Sequence, residues 1–215
     1  MSEWNNILNK IEVTGKEEDK IKLYTALYHC YLQPVDKTGE NPKWISTEPN
    51  FDDFYAIWDT FRATHPLFTL LTPSVQSNMV RSLIDIYRNE GYMPDARSGN
   101  DNGRVQGGSN CDILIADAIV KNLQGIDYGA GLQAMLKNAE VAPGGDERKE
   151  GRGGLADYNS LGYVSSAYER CLTRTFEYSN CDFAIATVAD RLGKQDIAHN
   201  SVSYTHLRAH ETDSY

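Results

Sequence analysis

Apolar residues recur at spacings of three and four positions along most of this chain, and this period predicts helices joined by long polar loops. The predicted helices cover residues 4–12, 17–32, 52–64, 73–90, 110–123, 128–139 and 165–192. The fourth has the clearest ends, with Thr72 as N-cap, Pro73 at its first position and Gly91 after its last. The last helix carries one apolar face, made of Leu172, Phe176, Phe183 and Ala186. Only residues 11–13 and 163–164 look extended, so the predicted fold class is mainly α.

One folded unit is predicted for residues 1–201, because no repeat of fixed period divides the chain. Within it, residues 1–16 form a linker that leads into the domain. Residues 202–215 have a different origin. From Val202 to Thr212 they read VSYTHLRAHET, which is the translation of a transposon-type sequencing adapter. We therefore predict that residues 202–215 are not native and that the open reading frame is a fragment.

Composition and charge argue against several classes of function. With 215 residues, 40% hydrophobic and 24% charged, the chain suits one soluble globular unit with a real core. A formal net charge of −9 and a pI near 5.0 argue against nucleic-acid binding, which needs clustered Lys and Arg. No apolar run approaches the roughly 18 residues of a membrane span. The four cysteines lack the spacing of a metal site and are interpreted as free thiols: Cys30, Cys111, Cys171 and Cys181.

Trp58, Asp59 and Arg62 form the first candidate site. In a sugar site the flat face of Trp covers C–H groups, while a carboxylate and a guanidinium bind vicinal hydroxyls. Asp59 and Arg62 lie three positions apart, so they share a helix face and can pair. The alternative interpretation is therefore a surface ion pair beside a core Trp.

Three further polar positions are interpreted as structural. Arg174 and Glu177 lie three apart in the last predicted helix, which favours an ion pair. His65 precedes Pro66 and is interpreted as a helix-end or core histidine. Asp182 is predicted to support a site from behind rather than to touch a ligand.

The second candidate site is the glycine-rich loop SGNDNGRVQGGSN, residues 98–110. Its glycines allow a ligand to approach the backbone closely, and Ser109 or Asn110 is predicted to cap the following helix. A phosphate-binding loop is a weak alternative, because the chain has no GxxxxGK[ST] pattern and no apolar strand before the loop. A flexible loop without a ligand is the other alternative.

Four strings of this chain, FYAIWDTFRATHPLFTLL, SGNDNGRVQGGSN, EGRGGL and RTFEYSNCDF, resemble the catalytic domain of glycoside hydrolase family 92. The resemblance covers nearly all of residues 1–201. It implies a calcium-dependent, inverting exo-α-mannosidase that removes terminal α-linked mannose from glycans. It also implies an (α/α)6 barrel, an α-hairpin toroid of which roughly half is present here. The family is mostly exported, so a secreted or periplasmic protein is expected, with its true N-terminus upstream of Met1.

The resemblance also implies roles for individual residues. The WDTFR segment corresponds to the part of the family pocket that holds the terminal mannose. The predicted substrate-binding residues are Trp58, Asp59, Arg62, Arg97, Arg104 and Asn110. The family's general base and calcium ligands lie largely downstream, on a GNEP-like loop and an NDDxGQ-like motif that have no counterpart here. Calcium is thus the expected cofactor with no metal ligand in this fragment, and residues 1–201 alone are predicted to be inactive.

The general-acid position departs from the family pattern. Typical members carry a GNET-like string whose Glu protonates the leaving oxygen, but no glutamate lies between Glu90 and Glu140 in this chain. Aligned on residues 99–100, the acid position falls on Asp101. Aligned backwards from the next helix, it falls on Gln106. Both assignments stay open at the level of the sequence.

Each assignment predicts a different substrate. Asp101 leaves ordinary α-mannoside hydrolysis open. A glutamine cannot donate a proton as an acid, so Gln106 suits a leaving group that departs without protonation, such as the phosphate of a mannose-1-phosphodiester. Arg97 and Arg104 flank the loop and would hold that phosphate, and the QGGSN string favours this assignment.

A rival class of function is a non-catalytic helical scaffold that binds carbohydrate or protein. A catalytic half-site requires Trp58, Asp59 and Arg62 to converge with the Gln106 loop. A scaffold would instead scatter these residues and expose a contiguous apolar patch. Oligomeric state is left open by the sequence.

Overall fold

The computed structural model describes residues 2–54 and 56–201. Nine helices occur in this part of the chain: α1 Ser2–Leu8, α2 Glu17–Cys30, α3 Ile57–Thr60, α4 Thr64–Leu71, α5 Pro73–Glu90, α6 Cys111–Val120, α7 Tyr128–Glu140, α8 Leu155–Leu161 and α9 Cys171–Arg191. Two short antiparallel hairpins accompany them, β1 Val35–Asp36 with β2 Phe51–Asp52, and β3 Arg97–Ser98 with β4 Asp101–Asn102. The mainly α fold class is therefore confirmed. The predicted adapter segment, residues 202–215, lies outside the described residues.

Helices α5, α6, α7 and α9 enclose the main core, with α6 packed against α9, α5 and α7. Helix α5 has the predicted ends, with Pro73 at its start and Gly91 in a left-handed conformation (φ 91°) after its last residue. The largest apolar side chains at the centre of the core are Phe68, Leu83, Ile84, Ile115, Met135 and Ile185. Within the described ranges, every helix is too short or too polar to cross a membrane.

The predicted helix over residues 52–64 is wrong, because the structure divides this stretch. Residues 51–52 form β2, α3 is a single turn, and α4 starts only at Thr64. Pro66 lies in the first turn of α4, where its missing N–H removes no intrahelical hydrogen bond, so this proline starts a helix rather than ending one. His65 is buried and its Nδ1 lies 3.0 Å from Oε1 of Gln76, which confirms its interpretation as a core residue.

Helix α9 begins at Cys171 rather than at residue 165, because Arg170 adopts a left-handed conformation (φ 58°) and the separate helix α8 precedes it. The predicted apolar face is largely unpacked: Leu172, Phe176 and Phe183 are 70%, 65% and 58% exposed. The opposite face is buried although it carries the polar residues Arg174 and Asp182. Hydrophobicity alone therefore does not identify the face of α9 that packs on the core.

All four cysteines are free thiols, as predicted. Cys111 and Cys181 are buried, while Cys30 and Cys171 are partly buried. Burial raises the pKa of the Cys111 and Cys181 thiols well above its usual value, so both stay neutral and act as small apolar side chains.

Candidate functional site

Two residues of the first candidate site, Trp58 and Asp59, lie on the short helix α3. The backbone N–H of Ile57 donates to the carbonyl of Asp95 at 2.9 Å, which ties the start of α3 to the segment before β3. Trp58 is half-buried, and Asp59 is exposed. The helix ends at Thr60, so it has only one turn in which to present these side chains.

Arg62 lies beyond the end of α3, and the Asp59–Arg62 pair that a continuous helix would allow is not formed. Its guanidinium lies over the ring of Phe61, 4.6 Å from the centroid, and its Nη2 donates to Oε1 of Glu177 on α9 at 3.2 Å. The two residues are 115 positions apart. Arg62 therefore connects the WDTFR segment to the longest helix of the described chain.

The glycine-rich loop reaches the same part of α9. A Cβ atom on Gly107 would lie 3.2 Å from Cγ of Glu177, and a Cβ atom on Gly108 would lie 3.0 Å from its Cβ and 2.9 Å from Sγ of Cys181. Only glycine permits so close an approach of the loop backbone to the helix. Gln106 directly precedes this contact and is exposed. The WDTFR segment, through Arg62, and the Gln106 loop, through Gly107 and Gly108, thus converge on Glu177.

Asn110 anchors the end of this loop. Its backbone N–H and its Nδ2 donate to the two carboxylate oxygens of Asp95, at 3.0 and 3.2 Å. Asn110 is fully buried and occupies the N-cap position of α6, as one of the two predicted residues, but its side chain makes no capping hydrogen bond. The structure places Asn110 behind the loop, where it fixes the loop rather than facing solvent.

Asp95 is fully buried, and burial raises the pKa of its carboxyl to about 8, although the hydrogen bonds from Asn110 oppose this shift. Folded Asp95 therefore keeps its proton between pH 4 and 8, where the unfolded chain releases it. Because the folded state binds more protons, the free energy of unfolding should fall as pH rises through this window, by up to about 1.4 kcal/mol per pH unit for one proton.

This pH dependence is testable with Asp95→Asn. The amide of the variant keeps an oxygen that accepts the hydrogen bond from the Asn110 N–H, and it does not ionise as the pH rises. Urea unfolding at pH 5, 6, 7 and 8 should show a smaller loss of stability in the variant than in the wild type. Asp190→Asn, an exposed change on α9, serves as control and should keep the wild-type slope. Equal slopes for Asp95→Asn and wild type would contradict the assignment.

The structure separates the two arginines predicted to hold a phosphate. Arg97 is 2% exposed, and its guanidinium donates to Glu90, Asn102 and the carbonyl of Asn100. It therefore lies inside the β3–β4 hairpin and stabilises it, which differs from the predicted contact with substrate. Arg104 is exposed and pairs with Glu169 at the surface, where a ligand can reach it.

The two candidate acid positions also have different surroundings. The side chain of Asp101 is 77% exposed and accepts a hydrogen bond from Nζ of Lys43 at 2.6 Å. This hydrogen bond lowers the pKa of Asp101, so the group is ionised at neutral pH and is a poor proton donor. Gln106, in contrast, lies next to the glycines that contact Glu177.

A buried charge network that the sequence did not reveal lies behind the loop. Arg152 donates to Asp182 at 2.6 Å and to Ser109 at 3.2 Å, and its Nη2 lies 3.4 Å from Asp112. Tyr158 donates to the other oxygen of Asp182 at 2.7 Å. Burial raises the pKa of Asp112 to about 7, even though Arg152 opposes the shift. Asp182 thus supports the loop from behind through Arg152.

The predicted Arg174–Glu177 ion pair is not observed. Arg174 is buried against Gly153, where a Cβ atom would lie 2.6 Å from its Nη1, and its nearest carboxylate is that of Glu147 at 3.8 Å. Glu177 points instead to Arg62. The EGRGGL string is the sequence feature that indicates the Arg152 network, because its glycines permit this close packing. No residue near Glu177 in the sequence indicates that Glu177 contacts Arg62.

A cleft of about 630 Å³ borders the Arg152 network. Its lining is made of Leu136, Ala139, Glu140, Arg152, Tyr158, Asn159, Asp182, Ile185, Asn200 and Ser201. It shares no residue with the contact between Arg62, Glu177 and the glycine loop.

Comparison with known proteins identifies the family. The model of the glycosyl hydrolase family 92 catalytic domain matches residues 1–211. A protein of Arthroderma benhamiae described as a secreted glycosidase is 35% identical over 182 residues, which is 80% of this chain and 20% of that protein. A family GH92 inverting mannosidase of Bacteroides thetaiotaomicron superposes with a TM-score of 0.86 at 31% identity, covering 95% of this chain and 29% of the other.

A second mannosidase of Bacteroides thetaiotaomicron, whose structure is known in complex with mannoimidazole, gives a TM-score of 0.83 at 27% identity. It covers 95% of this chain and 27% of its own length. The fold is therefore part of the helical toroid of glycoside hydrolases. The chain belongs to glycosyl hydrolase family 92, which confirms the resemblance and the (α/α)6 fold class. It spans less than a third of the relatives that it matches.

Family 92 is generally calcium-dependent. Calcium takes six to eight oxygen ligands, mostly from carboxylates. Residues 2–54 and 56–201 hold no group of three or more His, Cys, Asp or Glu side chains that could bind a metal ion.

Proposed function

We propose that this segment supplies one wall of the mannose-binding cleft in a secreted or periplasmic glycoside hydrolase that removes terminal α-linked mannose by an exo-acting, inverting mechanism. The observation that carries the proposal is the convergence of the WDTFR segment and the Gln106 loop on Glu177. Family membership and the mannosidases among its structural relatives support the substrate class.

The half-site has the groups that sugar recognition requires. Trp58 offers an apolar ring face to the C–H groups of a pyranose. The Asp59 carboxylate would accept a hydrogen bond from one sugar hydroxyl, and the Arg62 guanidinium would donate a hydrogen bond to the oxygen of the next. Both charged side chains are exposed, so a ligand can reach them.

Within this proposal, Gln106 rather than Asp101 occupies the position of the general acid. Asp101 is held ionised by Lys43 on a separate hairpin, whereas Gln106 adjoins the converging segments. An amide cannot protonate a leaving oxygen, so the favoured substrate is a mannose-1-phosphodiester, whose phosphate leaves as an anion. The exposed Arg104 is the residue of this chain that would hold that phosphate.

The remaining parts of the mechanism belong to other regions of the domain. We place the general base and the calcium ligands outside the described residues. Calcium would supply a charged, oxygen-bound centre for ordering the sugar and its water. The chain alone, with one wall of the cleft, is expected to show no turnover.

The test uses a protein that carries this segment together with the remainder of the domain, assayed with calcium. We expect hydrolysis of a mannose-1-phosphate-6-mannose glycan and little hydrolysis of α-1,2-mannobiose. Gln106→Glu supplies an acid and should raise mannobiose hydrolysis, whereas Gln124→Glu, an exposed change after α6, should not. Mannobiose turnover by the wild type would assign the proton to Asp101 or another group, and turnover of neither substrate would contradict mannosidase function.

A non-catalytic scaffold is the second candidate, and one observation favours it. Leu172, Phe176 and Phe183 form an exposed apolar face on α9. A protein-binding module exposes such a face, but so does a chain that spans only 29% of its structural relative. The assay separates the two, because a scaffold hydrolyses neither substrate.

A further inference from the structure

We propose that Glu177 is a positioning residue of the mannose cleft. It fixes the guanidinium of Arg62 and the backbone of Gly107 and Gly108, so that the two converging segments keep one mutual orientation. The inference rests on the proposed function, because it assigns Glu177 a role within the same cleft. Glu177 would act through Arg62 and the loop, without touching the sugar.

The first support is the contact with Arg62. The side chain of Arg62 is 63% exposed, and an exposed arginine samples many rotamers unless something anchors it. Within residues 56–201, the bond from Nη2 to Oε1 of Glu177 and the stacking on Phe61 are the contacts that orient the guanidinium. Neither Nε nor Nη1 donates to an acceptor within the described residues, so the N–H groups of these two nitrogens remain available to a ligand.

The second support is the contact with the loop. The Cβ and Cγ atoms of Glu177 pack directly on Gly107 and Gly108, so the same side chain that orients Arg62 also sets the height of the loop above α9. Any larger residue at these two positions would separate the loop from the helix. The position of Gln106 depends on this contact, because Gln106 immediately precedes Gly107.

The third support is that Glu177 is poorly suited to a purely stabilising role. Its Oε2 is buried and has no hydrogen-bond partner among the described residues. A buried charged oxygen without a partner destabilises a fold, and a side chain of similar shape without charge would pack at lower cost. Its charge is also one of the causes, after burial and other groups, that raise the pKa of Asp95. Because Glu177 weakens the fold in this way, its role is better explained by the orientation that it gives to Arg62 and the glycine loop.

The experiment titrates a protein that carries this segment together with the remainder of the domain with methyl α-mannoside and calcium, and records ¹H–¹⁵N spectra that include the side-chain Nε–Hε signal of Arg62. Glu177→Gln keeps the packing on the glycines but removes the charge that holds Arg62. Glu177→Ala removes both contacts. Glu18→Gln is the matched control, because Glu18 also forms an ion pair, with Lys22, on an exposed face of α2.

We expect Glu177→Gln to weaken mannoside binding roughly tenfold and to broaden or shift the Arg62 Nε–Hε signal. Glu177→Ala should weaken binding further and also shift the amides of Gly107 and Gly108. In both variants the amide signals of α5 and α7 should stay in place, which a merely structural role would not allow. Glu18→Gln should bind as the wild type does.

Three outcomes would overturn the inference. Wild-type affinity in both Glu177 variants would remove Glu177 from the cleft while leaving the proposed function intact. Weakened binding accompanied by general loss of signal dispersion would mean that Glu177 only stabilises the fold. Absence of any mannoside binding by the wild-type protein that carries this segment with the remainder of the domain would contradict the proposed function, and this inference would fail with it.

Discussion

Replacing Arg152 with methionine should lower the melting temperature of the chain by roughly 6–20 °C. Arg152 is 1% exposed and is the cation that faces both Asp182 and Asp112. Methionine keeps much of the length of the side chain but leaves these two carboxylates buried without a counter-charge. Removing one partner of a buried ion pair destabilises by about 3–5 kcal/mol, a large fraction of the stability of a typical domain.

The measurement is a thermal melt followed by circular dichroism, with Arg148→Met as control. Arg148 lies in the same loop and forms an ion pair with Asp146, but its side chain is 57% exposed, so its loss should change the melting temperature little. The double variant Arg152→Met/Asp112→Asn should recover part of the loss, because one uncompensated carboxylate is removed. Equal melting temperatures for the Arg152 and Arg148 variants would contradict the buried network.

Asp59→Asn should weaken binding of methyl α-mannoside by on the order of 10- to 150-fold without lowering the melting temperature. Asp59 is exposed and has no described hydrogen bond to another side chain, so the fold does not depend on its charge. The proposed role is to accept two sugar hydroxyls, and an amide replaces one of these acceptor oxygens with a donor.

The same titration provides the controls for this prediction. Asp190→Asn is the same chemical change on the exposed side of α9 and should bind mannoside as the wild type does. Methyl α-galactoside, which differs from mannoside in the orientation of its ring hydroxyls, should bind weakly to all three proteins. Unchanged mannoside affinity in Asp59→Asn would remove the carboxylate from the proposed site.

Features set by neighbouring residues could be predicted from the sequence. The ends of α5 follow from Pro73 and Gly91, because capping depends on residues within one turn. The mainly α fold follows from the period of the apolar residues. The predicted helix over residues 52–64 is wrong near Pro66, because a proline is compatible both with the end of one helix and with the first turn of the next, and only the position of the helix start decides between the two.

The candidate site could be predicted in part. The strings that carry Arg62 and the Gln106 loop are two separate parts of the sequence, and the structure brings both to Glu177 on α9. Whether a polar side chain faces solvent depends on partners that are distant in the sequence, and the sequence does not show which partners these are. Arg97 is enclosed by its hairpin, and Glu177 meets a residue 115 positions away.

The most direct test of the account is to map methyl α-mannoside on the spectrum of a protein that carries this segment together with the remainder of the domain. The account predicts that the indole N–H of Trp58 and the amides of Gly107 and Gly108 shift together and saturably, while methyl α-galactoside leaves them in place. A shift map confined to other regions, such as the cleft beside Arg152, or equal responses to both sugars, would contradict the claim that these two segments form one wall of a mannose cleft.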